Sequence, residues 1–146
     1  MIQYRKMQEQ DIESMALLEN MCFSEPWSYN SFKNALNDKD VLYIVAECDG
    51  NIVAQCGVRN IVGEGEITNV AVKPEYRKKG IAFAMLSELI SQGMDMGISA
   101  FTLEVRSRNE AAIALYGKLG FISEGVRPGF YTKPQDDAVI MWKRLP

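Results

Sequence analysis

The chain has 146 residues and no histidine, and that absence does the most to narrow its chemistry. A Ser-His-Asp hydrolase is excluded, and with the usual zinc ligand sets gone no metal is expected. Any general base has to be a carboxylate, lysine, tyrosine, cysteine or a water chain. Cysteine is scarce too: Cys22, Cys48 and Cys56 are the three present, without Cys-x-x-Cys spacing. No run of about 18 apolar residues exists, so no membrane span is expected. The opening MIQYRKMQEQD lacks the apolar stretch and cleavage site of a signal peptide, so a cytoplasmic protein is expected. Positive charge is not in excess, with 16 basic against 19 acidic residues and a net charge of -3. Nucleic acid is therefore not an expected partner, and any basic patch must be local. Nothing sets an oligomeric state.

What is present reads as one domain over residues 1–146. Hydrophobic residues make up 47% and charged residues 24%, enough to bury a core without cross-links. IQYRKM (2–7) is an expected strand, and Ile12, Met15, Ala16 and Leu18 recur at helical spacing across 11–21. Pro26 interrupts, and Ser28 is placed to cap a second helix to about Leu36. VLYIVAEC and NIVAQCGVRN flank Asp49-Gly50, a two-residue hairpin signal that puts Cys56 opposite Tyr43 and argues against a Cys48–Cys56 disulfide. A Gly-Glu-Gly turn at 63–65 is expected to lead into the strand EITNVAV. Beyond Gly80, a helix places Ala82, Met85, Leu86, Leu89 and Ile90 on one face. AFTLEVR (100–106) alternates as a strand. Asn109 caps a short helix whose inward stripe is Ala112, Leu115, Tyr116 and Leu119, ended by Gly120. Strands at about 121–125 and 138–143 close an α/β fold: a mixed, mostly antiparallel sheet of about seven strands flanked by about four helices.

The stretch VAVKPEYRKKGIAFAML (70–86) carries the sharpest local signal. Three adjacent cations, Arg77, Lys78 and Lys79, are ordinarily a solvated loop. Here they sit before a helix N-terminus, where they oppose the helix dipole unless an anion binds, and Gly80 lets that anion approach the backbone. A phosphate or pyrophosphate site follows. The order Lys79-Gly80-Ile81 lacks the Gly-Lys-Ser/Thr of a P-loop, and no G-x-G-x-x-G dinucleotide fingerprint is present. What remains is a metal-free pyrophosphate carrier.

Arg77-Lys78-Lys79-Gly80-Ile81-Ala82 after Val70-Ala71-Val72 resembles the R/Q-x-x-G-x-G/A signature of the GNAT superfamily of acetyl-CoA-dependent N-acetyltransferases. NEAAIALYGKLGF (109–121) is similar to that family's later helix-and-turn segment. CFSEPWS (22–28), ITNVAV (67–72), LEVRSRNEAAIALYGKLGF (103–121) and RPGFY with DDAVIM (127–141) resemble the RimI-type ribosomal-protein-alanine N-acetyltransferases. Two departures from that pattern stand out: Gly117 where a longer side chain is usual, and Gly129-Phe130 in place of Asn-Tyr before Tyr131.

The resemblance implies acetyl-CoA as co-substrate and a protein N-terminus, the alanine of small-subunit ribosomal protein S-eighteen, as acceptor. Lysine side chains and small amines remain the alternative acceptors, and a non-catalytic acyl-CoA-binding module is a third reading. It also implies Glu104 as general base, through a water, and Tyr116 as general acid. Asn69, Val70, Ala71 and Val72 would border the thioester arm, Val70 and Val72 by their main chain. Arg77, Lys78, Lys79, Gly80, Ile81 and Ala82 would hold the pyrophosphate, with Asn109 and Tyr116 also contacting the carrier. Trp27, Tyr29 and Tyr131 would line the peptide groove. Ordinary roles compete for these residues: a solvated strand carboxylate for Glu104, a core tyrosine for Tyr116, a helix cap for Asn109 and packing aromatics in loops.

Overall fold

In the computed structural model, which describes residues 1–146, seven strands form one sheet. They are β1 (Ile2–Lys6), β2 (Val41–Cys48), β3 (Asn51–Ile61), β4 (Glu64–Val72), β5 (Ala100–Arg106), β6 (Ile122–Thr132) and β7 (Gln135–Arg144). Their order is β1-β2-β3-β4-β5-β7-β6, antiparallel throughout except for the parallel pair β4 and β5. Four helices flank the sheet: α1 (Ile12–Cys22), α2 (Tyr29–Leu36), α3 (Ile81–Asp95) and α4 (Glu110–Lys118). This is the mixed, mostly antiparallel architecture expected from the order of elements. No helix is long and apolar enough to cross a membrane.

Local chemistry accounts for the joints. Asp49 and Gly50 both take positive φ, 51° and 83°, and close the β2–β3 hairpin with Cys48 opposite Asn51. Ser28 Oγ accepts the Ser31 N–H and caps α2, as its position predicts. Three details differ from the sequence reading. The β3–β4 turn is Val62-Gly63, one residue earlier than Gly-Glu-Gly, because Glu64 and Gly65 are already paired to β3. Cys56 faces Ile44 instead of Tyr43, since a bulge between Ala46 and Glu47 shifts the register by one; all three thiols are free. The last two strands run together as a long hairpin, for Arg127, Tyr131 and Thr132 pair with β7 on either side of a bulge, beyond the strand ends expected at about 125 and 138.

Alternation on β2 shows how the two cores form. Leu42, Ile44 and Ala46 point to α3 and join Met85, Leu86, Leu89, Phe101 and Tyr116, while Tyr43 and Val45 point the other way, to Met15 and Phe32 of α1 and α2. Each such large apolar side chain contributes roughly 1.5–3 kcal/mol on burial. Gly57 has a specific reason to be glycine: a Cβ there would overlap the Tyr43 ring. The ring lies flat across β3 and carries its hydroxyl toward β4.

Candidate active site

The site is built where β4 and β5 part. Their pairing covers only Glu64–Glu66 against Ala100–Thr102; beyond it the facing edges of Ile67–Val72 and Leu103–Arg106 have no strand partner. On its other edge β4 carries a bulge, two residues, Asn69 and Val70, opposite the single Cys56 of β3. Asn69 sits there in the left-handed region, φ 58°, and its Oδ1 accepts the Tyr43 hydroxyl at 2.6 Å. The bulge turns the Asn69 side chain to the α1–α2 face, while Val70 and Val72 pack against the α3–α4 core; Ala71 is buried.

Glu104 and Tyr116 approach this gap from opposite faces. On β5, Phe101, Leu103 and Val105 are buried against α3, so Thr102, Glu104 and Arg106 face the α1–α2 side, as the alternation predicts. The Glu104 side chain is 30% exposed, its Oε2 is buried without a hydrogen-bond partner, and Arg127 Nε stands 3.6 Å away. Tyr116, on the inward stripe of α4, packs on Phe121 and is 7% exposed. Its hydroxyl makes no hydrogen bond within the protein. Burial pushes its ionisation far above the ordinary tyrosine range, with Cys56 and Tyr131 adding to the effect.

The cationic loop meets the same gap. A 3-10 turn, Pro74–Tyr76, ends β4, and Lys78 and Gly80 both take positive φ, 62° and 80°. The first hydrogen bond of α3 is Ala84 N–H to Gly80 O, so the N–H groups of Lys78 to Phe83 have no acceptor in the protein. That row of free donors at a helix N-terminus, with Lys78 and Lys79 exposed beside it, fits an anion of pyrophosphate size. Ile81 is buried and Ala82 half-buried, so these two act there through backbone N–H. Lys79 also lies over the Tyr76 ring, 5.6 Å from its centroid. Arg77 is placed differently: its Nε donates to Val72 O at 3.0 Å and its guanidinium leans on Cys22 Sγ, so it secures the end of β4.

Comparison with known proteins gives the family and the fold. The acetyltransferase (GNAT) family model matches residues 12–121. The chain belongs to the GNAT family of acetyltransferases. A relative from Escherichia coli K12, named ribosomal protein bS18-alanine N-acetyltransferase, is 31% identical over 133 residues, 90% of this chain and 89% of its own. One of the same name from Haemophilus ducreyi is 33% identical over 136 residues, 91% of this chain and 93% of its own. The crystal structure of the E. coli ribosomal-protein-S18-alanine N-acetyltransferase superposes with a TM-score of 0.89 at 29% identity, covering 99% of this chain and 94% of that one. The protein is accordingly an N-acetyltransferase, similar over most of its length to these ribosomal-protein-alanine enzymes.

Around this GNAT centre, Ser24 Oγ on the α1–α2 loop donates to Lys133 O on the β6–β7 turn, so the two loops meet on the Glu104 face. Trp27 is half-buried against Phe32 and Tyr43 and helps line a cavity of about 60 Å³ with Thr68 and Glu66. Tyr29, 44% exposed, lies at the first turn of α2, outside that cluster. Tyr131 is half-buried under the Arg106 guanidinium, and burial together with the nearby Glu104 charge raises its ionisation. Asn109 caps α4, its Oδ1 accepting the Ala112 N–H at 3.1 Å, which leaves its amide free.

Four contributors escaped the sequence reading. Glu19, 1% exposed, accepts the Trp27 N–H at 3.1 Å and Gln55 Nε2 at 3.3 Å, and burial raises its ionisation against the pull of Trp27, Asn69 and Gln55. It ties the groove loop to the sheet beside the bulge. The signal was there: Glu19 falls at the spacing of Ile12, Met15 and Leu18, a carboxylate inside an apolar stripe. Tyr43 supports Asn69, and Asp136 holds the loop after β5 by accepting Ser107 Oγ at 2.6 Å and the Arg108 N–H at 3.3 Å. Arg127 is the fourth.

Proposed function

We propose that this enzyme moves the acetyl group of acetyl-CoA to the α-amine of the N-terminal alanine of ribosomal protein bS18, in the cytoplasm. The observation that carries the reading is the parted β4–β5 edge, with a carboxylate on one face, an unpartnered tyrosine hydroxyl on the other and free helix-terminal donors at its end. Two relatives known as bS18-alanine N-acetyltransferases point to the substrate.

Acetyl-CoA supplies an acetyl thioester: a C–N bond to the amine forms as the C–S bond breaks. The backbone N–H groups of Lys78 to Phe83 hold the pyrophosphate, and Val70 and Val72 present main-chain groups to the acyl arm. Glu104 receives, directly or through a water, the proton that the amine sheds. Tyr116 keeps its proton at any working pH and stands ready to deliver it to sulfur. A thiolate leaving into the same desolvated place is raised in basicity as well, so the transfer stays close to balance even though Tyr116 is a weaker acid than free tyrosine.

The amine's own acidity favours an α-amine. With a pKa of about 7.8 it is roughly 14% neutral at pH 7, against about 0.04% for a lysine amine of pKa about 10.4. The test is mass measurement after incubating the protein with acetyl-CoA and a peptide carrying the bS18 N-terminus, beside an Nα-blocked lysine peptide and a polyamine. One added acetyl group on the first peptide is expected. Acetylation confined to the other amines would overturn the substrate.

A further inference from the structure

Two arginines share the Glu104 face, and the fold uses them differently. Arg106 is tied down: Nη1 and Nη2 donate to Pro134 O and Lys133 O at 2.6 and 3.1 Å. The Arg127 side chain makes no hydrogen bond within the protein, is 58% exposed, and stands with Nε 3.6 Å from the unpartnered Glu104 Oε2. The sheet puts it there. Arg106 pairs with Ala138, which pairs with Arg127, so the three form one row across β5, β7 and β6. Ala138, at the middle, leaves room for the guanidinium to lie toward Glu104. The strand then bulges at 128–130, where Gly129 has φ 65° and its N–H donates to Asp137 Oδ1 at 2.8 Å, and Phe130 comes 5.6 Å from the guanidinium.

An exposed ion pair without a hydrogen bond contributes little to stability, so the pairing alone does not explain a cation beside the general base. Its fork of N–H donors is unused and lies beside Glu104. We propose that Arg127 selects α-amines: while the amine addresses Glu104, Arg127 donates to the carbonyl oxygen of the same N-terminal residue. This deepens the N-terminal reading above and rests on it.

Two physical terms support the assignment. Within one residue the amine nitrogen and carbonyl oxygen lie about 3 Å apart by covalent geometry, close to the 3.6 Å between Arg127 Nε and Glu104 Oε2. A lysine ε-amine offers methylenes at that position, leaving the fork desolvated and unpaired. Charge acts in the same direction. Arg127 repels an ammonium near Glu104, and a lysine amine is the more completely protonated of the two.

The experiment compares kcat/KM for a peptide with N-terminal alanine and an Nα-blocked peptide with one internal lysine, in the wild type, Arg127→Gln and Arg127→Lys. In Arg127→Gln the ratio of the two is expected to fall about 10-fold or more, chiefly through KM of the alanyl peptide, with KM for acetyl-CoA and Tm unchanged. Arg127→Lys keeps charge without the fork and is expected to recover only part. An unchanged ratio in Arg127→Gln, or full recovery by Arg127→Lys, overturns the carbonyl contact. So does faster turnover of the alanyl peptide, which would mean that Arg127 only competes with the amine for Glu104. Absence of transfer to the alanyl peptide by the wild type overturns the proposed function itself, and is seen before any variant is made.

Discussion

At the scale of single residues, the decisive question is what the Tyr116 hydroxyl does, because its surroundings give it no structural partner. A core tyrosine whose hydroxyl tethers the fold would show a hydrogen bond, and Tyr116 has none. Tyr116→Phe keeps the ring on Phe121 and so leaves stability within about 1 kcal/mol of the parent. If the hydroxyl is the proton donor, turnover falls by roughly 100-fold or more while acetyl-CoA affinity stays near normal. Steady-state kinetics with acetyl-CoA binding by calorimetry reads both; parent turnover across the pH range would assign the proton to solvent or another group. Glu104→Gln should lose rate most at lower pH, where fewer amines are already neutral and a base matters most.

At the scale of elements, the loop from Pro74 to Gly80 divides its cations between two tasks. Lys78→Ala with Lys79→Ala removes charge beside the free N–H row and should weaken acetyl-CoA binding, less so at high salt, with little effect on Tm or on kcat. Arg77→Ala also removes the donor to Val72 O, so it should lower Tm as well, by an amount equivalent to about 1 kcal/mol. Equal Tm effects in the two variants would return Arg77 to the anion-binding set. Much of this was legible beforehand, since a strand pattern and a glycine before a helical stripe mark the turn, and a cation run, ordinarily a solvated loop, reads as an anion site when set before a helix N-terminus. The bulge at Asn69 was not, because it depends on one residue more on β4 than on β3, which no local pattern marks. Nor was the long β6–β7 hairpin, where Pro128 and Gly129 look like loop. The structure also explains one departure from the RimI-like pattern: at φ 65° residue 129 is in the left-handed region, which glycine and asparagine both tolerate.

At the scale of the whole molecule, three buried carboxylates give stability a pH dependence of two opposite signs. Asp11 is pushed up by burial but more than offset by Arg5, at 2.7 and 2.9 Å, and by the Gln8 N–H, so its carboxyl ionises below the ordinary range. Asp136 is likewise lowered, chiefly by Ser107. Each contributes stability that is present above the ordinary carboxylate range, about pH 4, and is lost as pH falls through its depressed value. Glu19 runs the other way: raised by burial, it binds a proton in the folded state at a pH where the unfolded chain has released it. Its contribution is present at low pH and is lost as pH rises through the raised value. On acidifying from pH 7, stability should therefore climb first as Glu19 takes its proton and decline afterwards as Asp11 and Asp136 lose their partners. Urea midpoints measured from pH 7 to pH 3 should pass through a maximum on the acid side of neutrality. Glu19→Gln should remove the climb and Asp11→Asn should shallow the decline, each leaving the other limb in place. A midpoint that falls steadily from pH 7 would mean that Glu19 carries its charge without cost, and that the donors from Trp27, Gln55 and Asn69 fully replace the water it gave up.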